Sequence, residues 1–271
     1  MEQFSKKIRI ELLKMLKHRG FGHIGGSLSI VEVLSVLYDK VLKIDPLNPL
    51  WEERDYFVLS KGHAGPALYA TLALKGYFKI EDLLTLNEPH TSLPSHTDRL
   101  KTKGVDMTTG SLGQGFSSAV GIAKALKIQH KQNKVYVIVG DGELNEGQCY
   151  EAMQFASHHL LDNLVVFVDE NKLQLDGFTE DICNPFDLRK KFEDFGFYAC
   201  RCDGHNEQAI LDEIKKAKTN SGRPTCIILE TIKGKGVKEL ENTIGSHHVR
   251  FTEIENKMID NSIKELEASI K

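Results

Sequence analysis

The stretch VIVGDGELNEGQCYEA, residues 137–152, ends an apolar run in an oxygen-rich loop, and VVFVDENKLQLDG, residues 165–177, ends a second run in the same way. The two loops set Asp141 and Asn171 thirty positions apart. A short, near-continuous apolar run bounded by turn residues reads as a strand buried on both faces. In an open parallel sheet, ligands sit beyond the carboxyl ends of such strands. The glycines on either side of Asp141 let the backbone come close to a ligand while the carboxylate projects from the strand end. Asn171 adds a neutral amide oxygen, and the bend after it can turn a carbonyl inward. A carboxylate, an amide oxygen and a carbonyl make half an octahedron of hard oxygens, a shell that magnesium completes with water and phosphate. Gly-Asp-Gly is also a common tight turn, so a solvated acidic loop is the competing reading of the tripeptide.

The rest of the chain supports a sheet of this kind. YFVLS (56–60), KVYVIVGDG (134–142), NLVVFVDEN (163–171), FYACRCDG (197–204) and PTCIILETI (224–232) read as strands. Between them, PALYATLALKG, SSAVGIAKALK, EGQCYEAMQFASHHL, PFDLRKKFEDFG and NEQAILDEIKKAKTN carry helical patterns. Alternation of this sort predicts an α/β fold, a parallel sheet with helices on both faces. The first twenty residues read as an amphipathic helix. A second helix is expected from Ser29, with Ser27 or Ser29 as its cap. Residues 87–107, rich in proline and histidine, are expected to form a long loop. A single domain over 1–271 is expected, with 237–271 as a polar extension ending in a charged helix.

The chain has 271 residues, 41% hydrophobic and 27% charged, with a net charge of −3. That balance suits a globular protein and gives no reason to expect a nucleic-acid or membrane partner. No apolar run is long enough to span a bilayer, and charges interrupt the N-terminal pattern too often for a secretory signal. Five cysteines, none in a CxxC pair, fit a reducing, cytoplasmic setting. Cys200 and Cys202 form a CxC with no second pair of ligands nearby, and read as small half-buried side chains at a strand end.

GFGHIGGSLSIVEVL, RDYFVLSKGHAGPALYATL, LPSHTDR, GVDMTTGSLGQGFSSAVGIAKALK, GDGELNEGQCYEA, VDENKLQLDG, DGHN and ETIKGKGV occur in this order over about residues 10–240. Taken together, they resemble the transketolases, and GDG followed by Asn resembles the diphosphate-and-metal motif of thiamine-diphosphate enzymes in general. The resemblance implies the thiamine-diphosphate-binding fold. It also implies magnesium (calcium or manganese as substitutes) held by Asp141, Asn171 and the carbonyl of Leu173. His63, Gly110, Leu112, Asp141, Gly142, Glu143, Glu146 and Asn171 are then expected to bind the cofactor, with Glu146 also linking two active sites across a subunit interface. His23, His63 and His96 match channel histidines. GSHHVR offers His247 or His248 as a fourth, His248 being preferred, although the glycine that usually follows that histidine is missing.

Single histidines in turns are more often structural than catalytic, and Glu146 alone is no more than a first-turn carboxylate. Lys233 and Lys235 read equally well as phosphate-neutralising groups or as a solvated loop. Full-length transketolases continue into a domain that binds the cofactor's pyrimidine. The resemblance therefore implies the N-terminal subunit of a split transketolase. It would form a heterotetramer with a C-terminal, pyrimidine-binding chain and act on sugar phosphates of pentose phosphate metabolism. The rival expectations are a 2-oxo acid dehydrogenase or deoxyxylulose-phosphate synthase subunit, or a non-catalytic module of the same fold. The motifs leave the sugar open.

Overall fold

In the computed structural model, which describes residues 2–270, five parallel strands form the framework. The chain opens with α1 (Gln3–Arg19), the two-residue strand β1 (Phe21–Gly22), α2 (Ile24–Leu28) and α3 (Val31–Val36). Next come β2 (Tyr56–Leu59), α4 (Gly65–Leu74), α5 (Gln114–Ile128), β3 (Val135–Gly140), α6 (Gly147–His158) and β4 (Leu164–Glu170). The remainder is α7 (Thr179–Cys183), α8 (Leu188–Asp194), β5 (Tyr198–Asp203), α9 (Glu207–Thr219), β6 (Thr225–Glu230), β7 (Val249–Arg250) and α10 (Glu253–Ser269).

The sheet order is β2-β3-β4-β6-β5. β3 runs level with β4, with Gly140 opposite Asp169, so the two loops of interest leave the sheet side by side. The two faces of β3 and β4 separate the core into layers. Tyr136, Ile138, Val165 and Phe167 pack with apolar residues of α1, α3, α4, α9 and α10. Val135, Val137, Val139, Val166 and Val168 pack with those of α5, α6 and α8. Burial on both faces is why these strands are apolar at every position, each such side chain contributing about 1.5–3 kcal/mol relative to exposure.

Several local expectations change. The helix expected from Ser29 forms as α3, from Val31, after the separate short α2, and neither Ser27 nor Ser29 is its N-cap residue, which is Ile30. Ser27 Oγ donates to the His23 carbonyl, and Ser29 Oγ donates 2.7 Å to the Asp169 carboxylate. The tail is less polar than expected in its packing: Ile259, Ile263 and Leu266 of α10 are buried, and the helix lies on α1 with Lys17 paired to Asp260. Residues 87–107 form the long loop expected from the sequence, free of regular helix or strand.

Close approach of loops sets the shape of the site. A Cβ built on Gly62 would lie 2.6 Å from Thr109 Oγ1 and 2.8 Å from the Gly110 nitrogen, and Thr109 Oγ1 itself donates to the Leu59 carbonyl. Gly62→Ala is expected to destabilise the protein by about 1–3 kcal/mol through overpacking, lowering the melting temperature by roughly 2–4 °C per kcal/mol. Thermal unfolding that matches the wild type would show that the two loops part without cost.

Candidate functional site

The carboxyl ends of β2, β3, β4 and β6 open into a cavity of about 460 Å³ lined by His23, Lys61, His63, His96, Asp141, Asn171, Lys233 and His247, among others. Its floor is acidic. Asp169, the penultimate residue of β4, is completely buried, and its carboxylate accepts from Ser29 Oγ, Lys61 Nζ, Asn171 Nδ2 and Thr231 Oγ1. Burial alone raises a carboxyl pKa, but here the Lys61 ammonium and the donated hydrogen bonds prevail and hold Asp169 below the usual carboxylate range.

Asp141 is placed differently. It accepts backbone N–H bonds from Gly142 at 2.8 Å and Lys172 at 2.6 Å and, among the described residues, forms no ion pair with a lysine or arginine. Burial, reinforced by the charge of Asp169, pushes its carboxyl up to about 7. Asn171 donates to Asp169 while its amide oxygen accepts from the Leu173 nitrogen at 3.1 Å, and Lys172 between them takes a positive φ of 63°. That turn sends the Leu173 carbonyl to Lys233, whose Nζ donates to it at 2.9 Å.

The acid pair in GDGE divides its work. Glu143 turns into the protein, where it accepts from Ser60 Oγ and from the backbone nitrogens of Gly113 and Gly140, so its carboxylate ties three loops together. Glu146 is exposed at the mouth, at the start of α6, and its side chain caps nothing.

Four imidazoles, His23, His63, His96 and His247, form the opposite wall, with His248 behind His23. His23 lies at ring distances of 5.6 Å from His63, 5.4 Å from His96, 5.4 Å from His247 and 4.7 Å from His248. Three glycine- or proline-containing loops and the β7 approach therefore converge, as the motifs suggest. His247, not the preferred His248, lines the cavity; it stands 4.8 Å from His63 and its Nδ1 is 3.3 Å from Lys233 Nζ. Burial, together with the neighbouring histidines and Lys233, lowers His23 to about 4. Burial and Lys233 bring His247 to about 3. His63 and His96 are lowered by burial as well, so at neutral pH these imidazoles are uncharged and can both donate and accept.

Three important groups carry little local signal. Lys61 sits in SKGHAG and Asp169 in VDEN, each beside a residue with the stronger motif. Lys233 departs from the solvated-loop reading: it is 3% exposed, and burial with the charge of Lys61 lowers it to about 8. Lys235 keeps that reading, half-exposed and 3.5 Å from Glu241. A Cβ on Gly110, at φ +155°, would lie 3.3 Å from His96 Cδ2, and Leu112 lines the cavity beside it.

The donor set fits a metal held together with a diphosphate. Among the described residues no group of three His, Cys, Asp or Glu side chains is disposed to hold an ion unaided. Asp141 is a buried carboxylate without a cation, and the Asn171 amide and Leu173 carbonyl each keep a free lone pair. Such a set binds a hard cation only with oxygens that a ligand brings.

A family profile described as transketolase, thiamine diphosphate binding domain, matches residues 1–263. The chain is 54% identical over 247 residues to a 6-deoxy-6-sulfo-D-fructose transketolase subunit of Clostridium sp. (strain MSTE9), covering 91% of this chain and 90% of the relative. It is 39% identical over 249 residues to an apulose-4-phosphate transketolase subunit from Actinobacillus succinogenes, covering 92% and 90%. Among solved structures it resembles the transketolase of Campylobacter jejuni, with a TM-score of 0.88 and 33% identity over 99% of this chain. This chain spans only 46% of that one.

Since a partly buried His23 is held neutral in the folded state, the unfolded chain binds protons there first. Stability from this group is complete above pH 6.5 and is lost as pH falls towards about 4. His23→Gln is therefore expected to flatten the loss of unfolding free energy across that interval in denaturant titrations. Parallel curves for variant and wild type would contradict the assigned environment.

Proposed function

Because the chain belongs to the transketolase family through its thiamine diphosphate-binding domain, we propose that it is the N-terminal subunit of a two-chain transketolase. In this reading it moves a two-carbon ketol unit from a ketose to an aldose. What carries the reading is that relatives named as transketolase subunits match about nine-tenths of this chain and of their own length. The partner is a second polypeptide that binds the cofactor's pyrimidine, two copies of each chain making the working assembly. The donor we favour is a ketose with an anionic group at its far end, 6-deoxy-6-sulfo-D-fructose first, because that sugar names the 54%-identical relative. The five cysteines are all free thiols, which supports a reducing, cytoplasmic location. Among the described residues, no helix is long and apolar enough to cross a membrane.

In the proposed roles, Asp141, Asn171 and the Leu173 carbonyl hold the magnesium ion. Lys233, which has no carboxylate partner among the described residues, offsets negative charge of the diphosphate, and Gly110 and Gly142 leave room for the cofactor beside Leu112 and Glu143. When bound, thiamine diphosphate supplies an electron sink for the pair released as the bond next to the ketose carbonyl breaks. Neutral His23, His63, His96 and His247 orient the sugar hydroxyls. Each neutral ring can donate from one nitrogen and accept at the other, so it can hold a hydroxyl in place without a change of charge. Glu146, exposed at the mouth, faces the interface.

Purified alone, this chain is expected to transfer no ketol group, and addition of the pyrimidine-binding chain to restore transfer in a magnesium-dependent assay. Robust transfer by the isolated chain would refute the two-chain reading.

A further inference from the structure

One face of the small β1–β7 ribbon is a cluster to which the proposed chemistry gives no task. The strands pair antiparallel, with Phe21 opposite Arg250 and Gly22 opposite Val249. Directly opposed residues share a face, and faces alternate along each strand. Phe21 and Arg250 thus share a face, and the next positions on it are His23 and His248. Ring contacts agree, for His248 lies 4.7 Å from His23 and 5.7 Å from Phe21. At the C-terminus of α1, Gly20 turns the chain in the left-handed conformation, and the preceding Arg19 sets its guanidinium 4.6 Å over the Phe21 ring.

This face runs outward from the cavity. His23 lines the cavity wall, while His248 and Arg250 are exposed beyond it. One two-residue step along a strand covers about 6.6 Å, comparable with an extended hexose chain. The face carries two guanidinium groups. Among the described residues no ion pair joins Arg19 or Arg250 to a carboxylate, and Arg19 Nε, shielded from solvent, has no hydrogen-bond partner. Of the acids on α10, Glu255 accepts from the Thr252 nitrogen and hydroxyl, Asp260 pairs with Lys17 and Glu267 with Lys14, while Glu253, three residues after Arg250, forms no ion pair with it.

We propose that this face is a subsite for the tetrahedral oxyanion at the far end of the ketose, with Arg250 and His248 as the residues that read it. A guanidinium presents paired N–H donors that match such an oxyanion, and His248 adds an imidazole N–H between it and the reactive end. Arg19, held behind Phe21, contributes charge. Sulfonate and phosphate share the recognised geometry. The subsite rests on the proposed ketol transfer and deepens it: this chain itself, and not only its partner, selects the donor.

The test uses the reconstituted two-chain enzyme with three donors: 6-deoxy-6-sulfo-D-fructose, fructose 6-phosphate and neutral fructose. The wild type is expected to prefer the anionic donors. Arg250→Gln is expected to lower the ratio of kcat/KM for anionic over neutral donor about tenfold, mostly through KM. His248→Gln should lower it less, and Arg250→Lys should keep part of the preference. Whichever anionic donor loses more in Arg250→Gln identifies the oxyanion the subsite is built for. A ratio unchanged in both glutamine variants overturns the subsite, as do equal losses for anionic and neutral donors. If the wild-type complex transfers from no ketose at all, it is the underlying ketol-transfer reading that fails.

Discussion

The Asp169 carboxylate, wholly buried at the end of β4, accepts hydrogen bonds from Ser29, Lys61, Asn171 and Thr231. Four segments remote in sequence are thereby tied to two oxygen atoms. They are the α2–α3 junction after His23, the turn after β2 that carries His63, the loop after β4, and the loop after β6 that leads to Lys233. A buried charge is costly unless it is paired and fully bonded, and removing one partner of such a pair costs about 3–5 kcal/mol. The network therefore holds the rim of the cavity in one arrangement before any ligand arrives, and the sheet beneath, apolar on both faces, gives it a rigid base.

That pairing also decides which charges are left over. Lys61 is committed to Asp169, so Asp141 has no cation of its own and is driven up to about 7. Lys233 has no carboxylate of its own either; it rests on carbonyl oxygens and is driven down to about 8. An acid and a base displaced towards each other in one cavity mark a place prepared for a charged ligand. The histidine wall completes the contrast, because burial keeps it neutral while its ring nitrogens stay available. The floor is thus suited to a cation and its phosphate ligands, and the wall to a polyhydroxylated substrate.

Much of this is legible in the sequence where the signal is local. Continuous apolar runs announce β3, β4 and β6, and the loops after them announce Asp141 and Asn171. The histidine motifs, in separate glycine- and proline-bearing loops, point correctly to one cleft. What escapes has a common cause. Ser29 reads as a helix cap because its true partner is 140 residues away and leaves no local trace. Lys233 opens KGKG, a flexible composition, and its burial arises only when the loop after β4 and His247 close around it. The β1–β7 ribbon has two residues per strand, too few for any periodicity. The choice between His247 and His248 is not settled by strand parity, since both rings lie against His23, at 5.4 and 4.7 Å; which of the two lines the cavity is set by how the loop before β7 closes over it.

The central claim is that the oxygens of Asp141, Asn171 and Leu173 form a cradle for a divalent cation and a diphosphate. Calorimetric titration of thiamine diphosphate into the two-chain complex, with and without magnesium, addresses it most directly. Binding should depend on the metal in the wild type, and Asp141→Ala should weaken the metal-dependent affinity by about tenfold or more, on the order of other losses at metal sites. Equal, magnesium-independent affinity in wild type and variant would contradict the account.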